Sequence, residues 1–507
     1  MTALDAPGTS SWRSPVSHPL VWLLALALAH VAVRVAISPA LKWDEAEQVL
    51  WSQQLRLGYG AQPPLYTWLQ WALNHVFGPS VLALSVLKHA LLALTYALMY
   101  LAARELLGPR GAWWAAASLM LLPPLGWYSI RDQSHTVLVT AMTCGAWWLL
   151  LRIVRQPRPA DFAWLGLVCG LGMLSKYSFA LVAGAMLLAA LSVPEARRAL
   201  LSRGWWWTLI VGALVVLPHA AWLLSHWGAA TTETVGKMRI RPERDAGKGL
   251  LSLLQVYAGA FALWGLIALW AFRSAWWRGP AAPAAAWAQR VFWRYLALIT
   301  LALLGLVLLV GVTDFKGRWV MPLLCVAPLA AFAARPQLQD SPRAGRYTGV
   351  VVALALVMLA AAGARPWFSG LRGEADELNH PVAELAAALR QAGYDGRGRI
   401  IAGDHMLAGM LRTRFPQAAA SACASYTGQA VPACVAAQID QARRAGAGWL
   451  LVSRDDRTEP GWWAQAAVAG PGLAARSIEL PFRMVRAGMA PAHYRYVWHP
   501  ATEEAAR

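Results

Sequence analysis

Along the first two thirds of the chain, hydrophobic positions come in unbroken runs rather than in alternation. Apolar runs fall near 19–37, 80–101, 111–126, 134–151, 162–175, 177–193, 205–224, 250–272, 291–312, 318–334 and 347–364. Most approach the roughly twenty residues that carry a helix, with its backbone hydrogen bonds satisfied internally, across a bilayer. The pattern predicts an α-helical polytopic membrane protein with about eleven transmembrane helices. The first run precedes further spans rather than a secreted domain, so it reads as a retained helix and not a cleaved signal.

One run does not fit a simple count. Residues 162–192 would make a single helix of roughly 46 Å, whereas two full crossings need about forty residues. Lys176 stands in its middle, in LSKYS. The simplest solution is two short helices meeting near the outer face with the ammonium at their junction, because broken helices are tolerated where they line a polar cavity. A lysine snorkelling from one tilted helix is the alternative.

After about Trp367 the period changes. RIIAGD (399–404) and WLLVSR (449–454) predict short strands, 381–392 and 435–445 have helical spacing, and SIELPFRMV and YRYVWHP predict terminal strands. The expected organisation is a transmembrane domain over 1–368, with a first outer loop at 38–79, and a C-terminal soluble α/β domain over 369–507.

Composition agrees with this division: 58% of the 507 residues are hydrophobic, 14% are charged, and 29 are Trp, a residue suited to membrane interfaces. The formal net charge of +19 does not indicate nucleic acid, because most of it is scattered through short loops between spans. With the N-terminus inside, Arg104, Arg110, Arg152, Arg155, Arg158, Arg197, Arg198, Arg203, Arg273, Arg278, Arg290, Arg294, Arg335, Arg343 and Arg346 all fall on the cytoplasmic side. Eleven spans then put the α/β domain outside. The exception is the outer connection 226–249, with Lys237, Arg239, Arg241, Arg244 and Lys248; it reads as a solvated loop, or as a lid that attracts anionic lipid. Of five cysteines, Cys144, Cys169 and Cys325 fall in spans as small packing residues, while Cys423 and Cys434 lie close together in the tail and are candidates for a disulfide in an oxidising compartment. No zinc-type Cys/His pattern occurs. His219 and His226 could join an acidic residue around a divalent metal, but no ligand spacing supports such a site.

The candidate chemistry lies in the first outer loop. KWDEAEQVLW (42–51) places three carboxylates where an apolar run ends. A helix over 43–57 puts Asp44, Glu47, Gln48 and Trp51 on one face and turns Glu45 aside; the plainer reading is a solvated helix start with acids in its first turn. In YGAQPPLYTWLQWALNHVFG (59–78), Pro63 and Pro64 fix an extended entry to a second helix. Its Leu65, Trp68, Leu69, Ala72 and Val76 form an apolar stripe opposite Gln70 and Asn74.

Taken in order, DEAEQ, QPPLYTWL, RDQSHT, GLGMLSK and FKGRWVMP resemble the GT-C membrane glycosyltransferases, and within them the protein mannosyltransferase and aminoarabinose (lipid A) transferase superfamily. The resemblance covers roughly residues 20–335 and implies a GT-C fold, a polyprenyl-phosphate sugar donor, and inverting transfer on the outer face of the membrane. By matching position it implies Asp44 as the base, Glu45 as its partner, and Asp132 orienting the acceptor or Asp44; an N-cap of the fourth span is the plain alternative for Asp132. Lys176, Lys316 and Arg318 become ligands of the donor phosphate, and Glu47, Gln62, Pro63, Tyr66 and Tyr177 become cavity residues. That division suits the chemistry. A departing lipid phosphate needs cations rather than a strong acid, and the acceptor hydroxyl needs one base. The implied setting is a bacterial inner membrane, with active site and α/β domain in the periplasm. The implied partners are the lipid-linked donor, a lipid, glycan or protein acceptor, and membrane lipid. No cofactor is implied with certainty, and a divalent metal stays open. A flippase of lipid-linked sugars would use the same cations without bond cleavage, and a non-catalytic scaffold would use only the outer domain.

Overall fold

The computed structural model describes residues 19–132, 134–228, 245–276, 285–341, 343–469, 474–486 and 488–501; the basic residues at 237–244 lie outside them. Among the described residues, seven helices are long and apolar enough to cross a membrane, or eight if a bent pair counts as one span. Several of them, such as Trp205–Ser225, keep large apolar side chains outward, Trp206, Leu214 and Leu224 included. Such faces are untenable in water and natural in lipid.

The shortfall from eleven spans has a local cause. The run at 111–126 is divided into α5 (Pro109–Ala117), a 3-10 turn at Ser118–Leu121 and α6 (Pro123–Arg131). Pro123 and Pro124 lack the amide hydrogens that would continue α5, yet suit the first turn of a new helix. The run at 177–193 likewise forms α9 (Phe179–Ser192), which turns by 113° into α10 (Pro194–Leu200). Two further apolar helices, Val21–Ile37 within α1 (Pro19–Ile37) and α8 (Pro159–Ser175), are shorter.

Glycine explains how α8 reaches the site. A Cβ at Gly166 would meet the Thr208 carbonyl oxygen at 2.5 Å, so α8 lies directly on the Trp205–Ser225 helix, and Thr208 Oγ1 donates to Phe162 O across the contact. At Gly172 a Cβ would meet the Phe179 ring at 2.6 Å. This lets α9 fold back and leaves Lys176 at the α8–α9 break.

The first outer loop forms α2 (Trp43–Trp51) and α3 (Leu65–Phe77). The first helix stops at Ser52, earlier than its pattern suggests, and Ser52 Oγ donates to Gln48 O. In α3 the polar side points inward. Gln70 is fully buried and donates to Asn74, Asn74 donates to Ser52, and Val76 is left exposed. An apolar stripe turned outward is what a helix lying at a membrane surface requires.

Beyond the last long helix, Ala344–Leu371, the chain builds a five-stranded sheet in the order β2-β1-β3-β5-β4. The strands are β1 (Arg399–Ala402), β2 (Ala419–Ala422), β3 (Trp449–Arg454), β4 (Arg476–Leu480) and β5 (Ala492–His499). The first three are parallel; β5 runs antiparallel to both β3 and β4. Alternation divides the side chains into two cores, one with Ile400, Leu450 and Val452, the other with Ile401, Trp449 and Leu451. Helices cover both faces. Cys423 is bonded to Cys434, with Cα atoms 5.6 Å apart.

This α/β unit is clipped to the first outer loop. The Gln53 side-chain amide donates to Ala420 O and accepts from Ala420 N, occupying the free edge of β2 as a neighbouring strand would. Helix His405–Arg414 crosses α2 where a Cβ on Gly409 would meet the Ala46 Cα at 2.7 Å. Gly409→Val is therefore expected to cost about 1–3 kcal/mol by overpacking, seen as a lower thermal unfolding temperature and reduced turnover. Gly259→Ala, at a helix position with open space around it, is expected to change neither.

Candidate active site

A cavity of about 870 Å³ opens between the first outer loop, the α6–α7 connection (α7 being His135–Arg155), the α8–α9 break and the start of the tail. Trp43, Asp44 and Glu47 enter from α2, Gln62 from the loop, Arg131, Asp132, His135 and Thr136 from the α6–α7 region, and Lys176 and Tyr177 from the break. Arg318 comes from helix Gly317–Leu324, Arg365 from the last long helix, and Asp376, Glu377 and Arg457 from the tail. One wall is apolar, with Leu181, Leu303, Leu306, Val312, Phe315 and Leu323. The chamber thus joins a charged end to a greasy end, the profile of an amphiphilic substrate with a long hydrocarbon tail.

Asp44, in the first turn of α2, is half-buried against this chamber. Burial raises its pKa; Arg318, Lys88 and Lys176 pull it back down, and Asp132 pushes it up again. The carboxyl is therefore a stronger base than an exposed aspartate, while the cations around it keep an ionised form accessible.

Lys176 Nζ donates to Thr136 Oγ1 at 3.0 Å, which fixes the ammonium at the chamber wall. Among the described residues the Arg318 guanidinium has no hydrogen-bond or ion-pair partner, so its donors face the chamber uncommitted. Asp132 caps the C-terminus of α6, and Ser134 rather than Asp132 takes the N-cap position of α7. Its carboxylate pairs with Arg131 and lies 3.8 Å from Arg365, which also grips Asp376 at 2.5 and 3.0 Å. These contacts tie the tail to the α6–α7 connection.

Asp44, Glu47, Gln62, Asp132, Lys176, Tyr177 and Arg318 therefore meet in one place; four other expected residues do not. Glu45 turns away into the protein, where Arg34 grips it at 2.6 and 3.2 Å, Lys88 lies at 3.7 Å and the Lys42 backbone NH donates at 3.1 Å. Burial works against its charge, but Arg34, Lys88 and Lys42 outweigh that and hold its pKa well below the usual range. Its work is to anchor α2 to α1 and α4 (Val81–Arg104), not to take a proton. Lys316 is exposed outside the chamber, its ammonium 5.5 Å from the centre of the Trp319 ring. Lys316 is the extended N-cap residue just before the helix that carries Arg318. Pro63 and Tyr66 are buried behind the wall, Tyr66 packing 5.3 Å from His135.

Sequence reasoning missed Arg131, His135, Arg365, Asp376, Glu377 and Arg457. Arg131 and His135 flank the RDQSHT acid, and Arg365 is an arginine closing an apolar span, a visible signal. Arg457 carried none, since only tertiary packing brings its turn to the chamber. Among the described residues no group of three or more His, Cys, Asp or Glu is arranged to hold a metal ion.

Residues 61–222 match the family model described as dolichyl-phosphate-mannose-protein mannosyltransferase. The lipopolysaccharide core galacturonosyltransferase RgtA of Rhizobium johnstonii is 34% identical over 406 residues, covering 78% of this chain and 80% of that protein. The chain belongs to the GT-C membrane glycosyltransferases of the protein mannosyltransferase and aminoarabinose transferase superfamily. The core galacturonosyltransferase RgtB of the same organism is 31% identical over 416 residues, covering 80% of this GT-C chain and 83% of that one. ArnT from Cupriavidus metallidurans, solved bound to undecaprenyl phosphate, shares the GT-C fold with a TM-score of 0.62 at 13% identity, over 94% of this chain and 97% of that one.

Proposed function

We propose that the protein transfers a uronic acid, galacturonic acid in the first instance, from a polyprenyl phosphate to a hydroxyl of lipid A or the lipopolysaccharide core at the periplasmic face of the bacterial inner membrane. The observation that carries this reading is the shared chamber, in which Asp44 faces Lys176 and Arg318 beside an apolar wall. The sugar class comes from the galacturonosyltransferase relatives.

In the reaction, the acceptor oxygen attacks the anomeric carbon while Asp44 takes its proton. The bond from that carbon to the phosphate oxygen breaks on the opposite side, and the configuration inverts. Polyprenyl phosphate departs with its new charge held by Lys176 and Arg318, Arg318 being able to grip two phosphate oxygens at once. The hydrocarbon chain follows Leu303, Leu306 and Phe315 into the bilayer. The sugar carboxylate needs a cation of its own, and Arg457 is suited to it: exposed on the chamber wall, it has no side-chain hydrogen bond or ion pair among the described residues.

The test is transfer by the purified protein in nanodiscs, with polyprenyl-phosphate galacturonate as donor and deacylated or intact lipopolysaccharide as acceptor. The expected products are the extended acceptor and free polyprenyl phosphate, and Arg457→Ala is expected to lower uronosyl transfer at least tenfold more than transfer of the matching neutral hexose. Donor recovered intact from the opposite leaflet would instead mean transport.

A further inference from the structure

A second cavity, of about 1320 Å³, lies between the first outer loop and the α/β unit. It shares two residues with the active-site chamber, Trp43 and Glu47, so the two spaces meet at the start of α2, next to Asp44. Nothing in the reaction above uses this second space.

Its wall has an unusual chemistry for a crevice between packed elements. Among the described residues that line it, Arg56, Arg399 and Arg412 stand against a single acidic residue, Glu47, and Gln54, Gln417, Gln438 and Gln441 are among its many side-chain amides. Aromatic faces stand at the junction, where Trp43 lies 5.7 Å from His405 and 5.6 Å from Tyr426, centre to centre. Part of the wall is pre-set. Arg399 Nη1 donates to Gln438 Oε1 at 2.5 Å, Ser421 Oγ donates to the same oxygen at 3.1 Å, and the Gln53 clamp on Ala420 fixes the edge strand beneath them. Arg412 Nε is buried with no hydrogen-bond partner.

We propose that this groove binds the sugar chain of an anionic acceptor glycan and delivers its hydroxyl past Trp43 to Asp44. A sugar chain offers hydroxyl pairs, which amide and guanidinium forks match, and C–H faces, which pack on aromatic planes. Three guanidinium groups against one carboxylate select chains that carry carboxylates or phosphates and disfavour neutral ones. Trp51, Tyr59 and Trp222 also line the groove, adding aromatic faces on which sugar C–H surfaces pack. The inference rests on the reading that the protein glycosylates an envelope glycan, and it assigns to the α/β unit the choice of acceptor.

The test uses the full-length protein in nanodiscs of neutral lipid and, as probe, the lipid-free core oligosaccharide released from lipopolysaccharide by mild acid. Saturation-transfer NMR reads binding without donor or turnover, and a transfer assay compares intact lipopolysaccharide with lipid A that lacks the core. Arg56→Glu and Arg399→Glu, both outside the reaction chamber, are each expected to raise the KM for intact lipopolysaccharide at least fivefold and to weaken oligosaccharide binding. The kcat at saturating acceptor and the KM for donor are expected to stay unchanged, and the preference for intact lipopolysaccharide over bare lipid A is expected to collapse. Unchanged acceptor KM in both folded variants would overturn the proposal. So would oligosaccharide binding that survives them, or displacement by anionic-lipid vesicles but not by oligosaccharide. A wild-type protein that binds the oligosaccharide yet transfers no sugar would leave the groove standing and remove the proposed reaction; transfer without oligosaccharide binding would do the reverse.

Discussion

Asp44→Asn is expected to lower kcat by about 10³-fold, within the range that general-base catalysis supplies, while polyprenyl phosphate still binds. The change keeps the shape of the side chain and removes only its ability to take a proton. Glu45→Gln, one residue along, is expected to behave in the opposite way. It removes the charge that Arg34 and Lys88 surround, leaving buried cations without a counter-charge, at a cost of about 3–5 kcal/mol. The protein should therefore unfold at lower temperature but, at temperatures where it is folded, retain much of its turnover. Side-by-side kinetics and thermal unfolding of the two variants separate a reacting carboxylate from a supporting one. A stable Asp44→Asn variant turning over normally would remove Asp44 from the reaction.

Loss of Arg318 is the second large effect. Arg318→Ala is expected to reduce kcat/KM for the donor by about 10²–10³, the scale found when one preorganised donor to a developing anion is deleted. Arg318→Lys is expected to recover only a small part, because an ammonium cannot grip two phosphate oxygens in one plane. Arg318 also has a signature in pH. Burial raises the Asp44 pKa and Arg318 is the strongest charge pulling it down. In the wild type the acid limb of kcat/KM for the acceptor, where activity falls as Asp44 takes up a proton, is expected above the ordinary carboxylate range. In Arg318→Gln the restraint is gone, so the limb moves to still higher pH. A limb that moves down, or does not move, would show that the two groups are not coupled.

Much of this arrangement was legible in the sequence because the membrane makes polar residues informative. Lys176 in the middle of an apolar run and Asp44 at the end of another are costly places for charge, and both proved to face one chamber. The short unbroken apolar runs in RIIAGD and WLLVSR marked β1 and β3 for the same kind of reason: a strand covered on both faces must be apolar throughout. What escaped notice depended on partners distant in sequence. Edge strand β2 reads AASA, with none of the branched or aromatic residues that favour strands, and it is held by β1 and by the Gln53 side chain. Glu45 stands beside Asp44 and carries the same charge, so only the positions of Arg34 and Lys88, eleven residues before it and on α4, assign it to support. Seven or eight helices meet the length and apolarity of a span where the runs suggested eleven, in part because the Pro123–Pro124 pair divides one apolar run without making it less apolar.

The most direct measurement is a cryo-EM structure of the protein in nanodiscs with undecaprenyl phosphate bound. The expected result is a phosphate in contact with both Lys176 Nζ and the Arg318 guanidinium, the isoprenoid chain leaving along Leu303, Leu306 and Phe315, and the Asp44 carboxylate facing the phosphate across a space wide enough for one sugar. A phosphate bound elsewhere, with Lys176 and Arg318 left to solvent and Asp44 turned from the lipid, would contradict it.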